Sequence, residues 1–236
     1  MAAAWLPWNA TTSTRCSTRR TGTSPRRHGS SKSIVVRSTT RSAPSVWSGS
    51  ALVERLVLVA VGDLELQWLE LLHESLPDLI GRRCRIDPHA LEPGFAANGP
   101  RRQYNANLLV EALVERVVDP GERVLGVTRL DLYLSVFTFV FGAAHLEGSG
   151  AVVSMHRLDP SKYGLEPDPA LLPERLIKEA MHECGHLYGA VHCRTPECVM
   201  GFSAVVEEID IKSSMPCPEC ARGIGIPPGT IGDQGA

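Results

Sequence analysis

The chain has 236 residues, of which 43% are hydrophobic and 21% are charged, as expected for one soluble domain of moderate size or two small ones. No apolar run approaches the roughly 18 residues that a membrane-spanning helix needs, which argues against an integral membrane protein. The formal charge of −2 is unevenly distributed, because residues 1–50 hold eight basic residues and no acid. Residues 51–236 hold 16 basic and 26 acidic residues, a charge of −10. This segment is a poor candidate for binding a phosphate backbone, so no nucleic-acid partner is expected.

Residues 1–50 differ from the rest of the chain in composition. They contain 19 serines and threonines with scattered arginines and few large aliphatic residues. Such a segment buries too little apolar surface to offset its backbone entropy, so we predict a disordered tail. Its origin is left open between an upstream start site and a targeting segment such as a transit peptide. A second flexible tail is predicted for residues 226–236, rich in Gly, and the folded domain is predicted to span residues 51–225.

Within this domain, strand and helix signals alternate. Short β-branched or apolar runs predict strands at residues 55–61, 84–87, 123–128, 132–134, 136–141 and 151–156. Helical periodicity predicts a helix capped by Asp63 that ends at Pro77, and another over residues 103–118. A third helix is predicted to begin at Pro173 and to end at Gly189. This order indicates an α/β fold in which helices pack on a mixed, twisted sheet.

The third helix carries three histidines at a spacing typical of zinc ligands. The sequence reads His182-Glu183-x-x-His186-x-x-Gly189-x-x-His192. Residues four apart share a helix face, so His182 and His186 can bind one ion. A glycine with positive φ at position 189 would turn the chain and let His192 return as the third ligand. Three imidazoles leave one tetrahedral position open, as in a catalytic zinc site, and Glu183 is placed to act as general base.

Four cysteines follow the histidines in two close pairs. Cys193 and Cys198 form the first pair, and Cys217 and Cys220 form the second, at the spacing of a closed tetrahedral thiolate site. Such a site would be structural, although disulfides and free buried thiols are alternatives. Cys184 is predicted to pack in the core. Clustering of cysteines near histidines favours metal binding in a reducing compartment, so a cytoplasmic location is expected.

Together these residues resemble the archaemetzincin family of metzincin-like zinc metalloproteases. The family pattern joins the histidine motif to a directly following C-x4-C-x-M and a distal C-x-x-C, here with Met200 between the cysteine pairs. The resemblance extends upstream through Arg101-Arg102-Gln103-Tyr104, Gly126-Val127-Thr128 and Asp131-Leu132-Tyr133 to Phe139-Val140-Phe141-Gly142, and it covers about residues 52–225. It does not extend to the first fifty residues.

The resemblance implies further features. It implies a compact metzincin-like domain with a C-terminal four-cysteine zinc module and a Met-turn at Met200 beneath the catalytic metal. It also implies a cleft with an edge strand that pairs with extended substrate, for which residues 151–156 are our candidate. Gly201 departs from the family pattern, where Asn is expected. The implied activity is peptide or aminopeptidase cleavage.

The sequence therefore predicts a monomeric zinc metallopeptidase with two zinc ions per chain. Glu183 is the predicted catalytic base, His182, His186 and His192 hold the catalytic zinc, and the partner is a peptide or protein substrate. The alternative is a zinc-stabilised peptide-binding or structural protein whose active site is vestigial. The intact Glu183 favours the enzyme, because a purely structural site needs no carboxylate there.

Overall fold

The computed structural model describes residues 2–4, 55–166 and 168–226 of the chain. A six-stranded sheet has the order β1-β9-β10-β6-β2-β3, and only the β9–β10 pair is antiparallel. Its strands are β1 (Ala2–Ala4), β2 (Arg55–Ala60), β3 (Arg83–Ile86), β6 (Glu122–Thr128), β9 (Gly142–Ala144) and β10 (Gly150–Ser154). The smaller sheet has the order β4-β5-β7-β8 and consists of β4 (Ala97–Asn98), β5 (Gln103–Asn105), β7 (Leu132–Leu134) and β8 (Phe137–Val140).

Five α-helices and two short 3-10 helices complete the described part. The α-helices are α1 (Leu66–Ile80), α2 (Ala106–Val114), α3 (Leu171–Leu187), α4 (Val206–Asp210) and α5 (Pro218–Gly223), and the 3-10 helices are Gly94–Ala96 and Pro160–Tyr163. The predicted mixed α/β architecture is confirmed. In the described part of the chain, none of the helices combines the length and the apolar character that crossing a bilayer requires.

The larger sheet separates two apolar cores, because successive side chains of a strand point to opposite faces. On β2, Leu56 and Leu58 face a core that includes α1 and α3, whereas Val57 and Val59 face a core that includes α2. All four side chains are buried. The helix with the histidine motif, α3, is thus held against the sheet by apolar packing on the same side as α1.

Both predicted ends of the first helix are wrong. It begins at Leu66, after Glu65, and Asp63 does not cap it. The first helix continues through Pro77 to Ile80, and Gly81 ends it with a left-handed φ of 66° and an N–H bond of 2.9 Å to the carbonyl of Pro77. Burial of Leu76 and Ile80 in the core stabilises this last turn despite the interior proline.

The helix predicted over residues 103–118 is also shorter than expected. Its first three residues form β5, and α2 begins after Asn105, whose side-chain oxygen accepts the Asn107 N–H at 3.0 Å. Strand pairing of β5 with β4 and β7 supplies hydrogen bonds that the helix would otherwise provide. The sequence contains the capping residue, but the pairing is a tertiary effect.

The predicted edge strand is wrong as well. Residues 151–154 belong to β10, which pairs with β6 on one side and with β9 on the other, so this strand lies inside the sheet. The neighbouring strand β9 pairs with β10 and with β1. Apart from Ala2–Ala4, the tail predicted for residues 1–50 lies outside the described residues, as does the end of the chain from residue 227.

Gly126 on β6 is required by close packing, which allows a test of the core. A Cβ at this position would lie 2.6 Å from Cδ1 of Leu113 and 2.9 Å from Cγ2 of Val61. We expect Gly126→Ala to lower the free energy of unfolding by about 1–3 kcal/mol, because the core must shift to admit the methyl group. Urea denaturation measures this change. Gly94→Ala is the control, since a Cβ there meets nothing within 4 Å. Equal stability of both variants would contradict the packing described here.

Candidate metal centre

The three predicted histidine ligands converge at the C-terminal end of α3. His182 and His186 are fully buried on the helix, and their Nε2 atoms lie 3.0 Å apart. Gly189 follows the helix with φ of 92°, in the left-handed conformation that the sequence predicts. The chain then returns, and the His192 ring centroid lies 5.3 Å from that of His182 and 5.1 Å from that of His186. The three rings offer ligand atoms that all lie within 4.8 Å of one another.

Backbone carbonyls determine which nitrogen of the two helical histidines carries the proton. Nδ1 of His182 lies 2.7 Å from the carbonyl oxygen of Val199, and Nδ1 of His186 lies 2.6 Å from that of Ala190. A carbonyl oxygen only accepts, so each Nδ1 must be the N–H donor and each Nε2 must carry a lone pair. The sequence pattern does not reveal these two carbonyl partners.

Burial keeps the three rings neutral. It lowers the pKa of His182 well below its ordinary value, that of His186 to about 4, and that of His192 below its ordinary value. Two neutral Nε2 atoms that face each other at 3.0 Å repel through their lone pairs, and the buried Nε2 of His192 has no hydrogen-bond partner among the described residues. These three nitrogens fit a zinc ion, which binds imidazole nitrogen. A zinc ion would remove the lone-pair repulsion and would give Nε2 of His192 a partner.

Glu183 directly follows His182 on α3 and is fully buried. Within the described residues neither oxygen of its carboxylate has a hydrogen-bond partner. Burial raises its pKa well above the ordinary value, and the Glu179 carboxylate raises it further. The side chain lies against β9, since a Cβ on Gly142 would collide with Oε1 of Glu183 and would lie 2.7 Å from its Cγ and Cδ. Gly142 was not predicted as part of the site, because this contact joins distant parts of the chain.

The four predicted cysteine ligands also lie together. Their Sγ atoms are within 4.8 Å of one another, and that of Cys193 is 3.8 Å from that of Cys217. The six cysteines in the described part of the chain are free. Backbone N–H groups point at two of the sulfurs, from Thr195 to Cys193 at 3.4 Å and from Cys217 to Cys198 at 3.2 Å. Donors aimed at sulfur favour thiolates, and four thiolates fit a closed zinc site.

Met200 packs against α3 at Gly185, within the histidine motif. It is fully buried, and its carbonyl oxygen accepts the N–H of Cys193 at 2.8 Å. A Cβ on Gly185 would collide with Sδ of Met200, so the glycine allows this close contact with α3. Gly201 fits the turn that follows, because a Cβ there would lie 3.1–3.4 Å from three backbone carbonyl oxygens. A side chain such as Asn would require these neighbours to move slightly.

A comparison with family models matches residues 94–225 to "Peptidase family M54". The chain belongs to peptidase family M54. It is a zinc metallopeptidase, and its curated relatives are archaemetzincins. That of Methanocaldococcus jannaschii is 37% identical over 173 residues, which span 72% of this chain and 93% of the relative. That of Pyrococcus furiosus is 48% identical over 123 residues, which span 52% of this chain and 64% of the relative.

Solved structures of archaemetzincins are also similar to this chain. The crystal structure from Methanopyrus kandleri has a TM-score of 0.65 and 34% identity, covering 75% of this chain and 96% of that one. The structure from Archaeoglobus fulgidus has a TM-score of 0.61 and 34% identity, covering 71% of this chain and 99% of that one. The family resemblance inferred from the sequence is thus confirmed.

The contact between Gly185 and Met200 predicts a coupled loss of stability and metal retention. We expect Gly185→Ala to lower the free energy of unfolding by about 1–3 kcal/mol, because the added methyl displaces Met200. The neighbouring Val199 carbonyl would move with it, so zinc should also be lost at a lower chelator concentration. Thermal denaturation and chelator titration measure the two effects.

The second substitution Met200→Ala removes the colliding atoms and serves as the control. The combined loss of stability in the double variant should then be smaller than the sum of the two single losses. Strictly additive losses would contradict a direct contact between these side chains.

Proposed function

We propose that this chain hydrolyses peptide bonds with Glu183 as the general base and with His182, His186 and His192 as ligands of a catalytic zinc ion. The observation that carries the proposal is the convergence of three imidazoles around α3, the helix that also carries the buried Glu183 carboxylate, which has no hydrogen-bond partner among the described residues. We further propose that Cys193, Cys198, Cys217 and Cys220 hold a second, structural zinc ion.

The proposed reaction needs a carboxylate that can accept and return a proton. A zinc ion held by the three histidines would supply Lewis acidity, which makes water nucleophilic near neutral pH and polarises a peptide carbonyl. Glu183 would accept the proton of the attacking water on Oε1 or Oε2 and pass it to the leaving amine. Its buried surroundings raise its pKa, which suits it for holding that proton between the two steps.

The chain's own backbone keeps this arrangement in place. The Val199 and Ala190 carbonyls orient two of the imidazoles, and Gly142 leaves room for the carboxylate against β9. Such preorganisation matters because misplacement of a catalytic group by about 1 Å can reduce the rate about 100-fold.

The four-cysteine cluster supports the same centre indirectly. Cys193 follows His192 directly in the sequence, so a zinc ion bound by the cysteines would restrain the backbone that carries the third imidazole. Binding of such an ion contributes folding free energy, on the order of 10 kcal/mol in small zinc modules. The free cysteines are consistent with the cytoplasmic location that we propose, and the monomeric state is likewise proposed.

Zinc content tests the two sites. We expect purified protein to contain about two zinc ions per chain, of which a chelator removes one readily, because open sites exchange faster than closed ones. His186→Ala should lose the labile ion and retain the resistant one. Cys217→Ser should lose the resistant ion and much of the thermal stability. Atomic emission spectroscopy after stepwise dialysis measures the ions, and a single resistant zinc in the unmodified protein would favour a purely structural role.

Replacement of Glu183 tests the general base. We expect Glu183→Gln to reduce kcat by about 100-fold or more, because the amide cannot accept the proton, while both zinc ions remain bound. Cleavage of a peptide library measured by mass spectrometry gives the rates. Matched peptides with free and acetylated N-termini test the proposed aminopeptidase activity at the same time. Full activity of the variant would overturn the role of Glu183, and an inactive unmodified protein would favour the peptide-binding alternative.

A further inference from the structure

Two buried carboxylates lie one helical turn apart behind the candidate metal centre. Glu179 and Glu183 are spaced four residues apart on α3, and both are fully buried. Like charges at this spacing repel, and burial makes each charge more costly to hold. The two groups are electrostatically coupled, since the Glu179 carboxylate raises the pKa of Glu183. A positive charge nearby is therefore needed if both remain ionised.

Among the described residues, Lys212 places a positive charge against the first of these carboxylates, Glu179. It follows α4, its side chain is 1% exposed, and its Nζ lies 3.5 Å from Oε1 of Glu179. Glu183 lies one helical turn from Glu179 on α3, so the buried ammonium of Lys212 lies on the side of the helix that carries both carboxylates. Lys212 is therefore placed to balance negative charge on this side of the helix.

The contact between Lys212 and Glu179 differs from the neighbouring ion pairs. Lys178 lies 2.6 Å from Glu174, and Arg175 binds both carboxylate oxygens of Asp210 at 2.7 Å. At 3.5 Å the contact of Lys212 is too long for a strong hydrogen bond. The other oxygen of Glu179, Oε2, is buried and has no hydrogen-bond partner in the described part of the chain.

A purely structural ion pair inside a protein is expected to be well satisfied, because a buried charge with an incomplete partner destabilises the fold. The ammonium of Lys212 instead has hydrogen-bonding capacity that Glu179 does not use. Its placement is better explained by a charge shared between Glu179 and Glu183. This interpretation rests on the proposed role of Glu183 as general base.

We propose that Lys212 is a positioning residue of the hydrolytic centre, whose buried ammonium, anchored by Glu179, balances the charge of Glu183 and holds its carboxylate in place against β9. The essential feature is the charge of Lys212. Glu179 serves as its anchor, and an amide at position 179 can still accept a hydrogen bond from the ammonium.

A double-substitution cycle separates this role from a structural one. We expect Lys212→Met to lower both the melting temperature and kcat, the latter by about tenfold or more with little change in KM. Glu179→Gln should retain most of the activity, because the amide still anchors the side chain of Lys212 next to Glu183. The double variant Glu179→Gln/Lys212→Met leaves no unpaired charge between these two positions, so it should recover melting temperature while kcat stays low.

A purely structural role of the Lys212–Glu179 pair predicts a different result. If the pair is only structural, the neutral double variant should recover both melting temperature and kcat, and that result would overturn the proposal. Lys212→Arg provides a further readout, because it preserves the charge and should retain more activity than Lys212→Met. No difference between these two variants in kcat would also overturn the proposal. Zinc content is measured in each variant, and a loss of activity explained by lost zinc would count against a role through Glu183.

Lys178→Met/Glu174→Gln is the matched control. It removes a buried lysine and its glutamate from the same helix, at a pair that does not contact Glu183 in the described structure. We expect it to change the melting temperature and to leave kcat unchanged. Glu183→Gln is assayed in parallel. An active Glu183→Gln would refute the general base itself, whereas an inactive Glu183→Gln with a fully active double variant would refute only the role of Lys212.

Discussion

The arrangement of this site depends on two hydrogen bonds from imidazole to backbone carbonyl. Because Val199 and Ala190 accept from Nδ1 of His182 and His186, the Nε2 lone pairs of both rings point at the same place. Burial removes the alternative of protonating one ring to relieve the repulsion. The remaining way to satisfy these atoms is a cation, so the folded backbone itself creates the demand for metal.

The same short segment links the two candidate zinc sites. The chain between α3 and α5 contains the third histidine, the first cysteine pair and the Met200 turn. Cys193 donates its N–H to Met200, and the Val199 carbonyl beside Met200 orients His182. Restraint of the cysteines therefore reaches the imidazoles through backbone hydrogen bonds over a few residues. This coupling links the four-cysteine cluster to the histidine cluster in the same part of the chain.

Close approach between backbone and side chain is a second recurring constraint. Gly185 admits the sulfur of Met200 beneath the helix, and Gly142 admits the carboxylate of Glu183 against the sheet. Gly189 provides the positive φ that ends α3. Each glycine serves a different contact, but together they allow helix, turn and strand to lie nearer to the centre than side chains with a Cβ would permit. The buried ion pair between Lys212 and Glu179 adds an electrostatic constraint to these steric constraints.

The sequence by itself determined the candidate ligand types and their grouping, because helical periodicity and cysteine spacing are local properties. His182 and His186 share a helix face wherever the helix packs, and Gly189 is the residue best able to reverse the chain toward His192. Tertiary structure decided the rest. Strand pairing placed residues 150–154 inside the sheet and shortened the second predicted helix, while core burial extended α1 beyond Pro77. Contacts between distant segments supply the carbonyl partners of the histidines, the close fit of Gly142 and the burial of Lys212. The periodicity of apolar residues and the spacing of motifs do not encode such contacts.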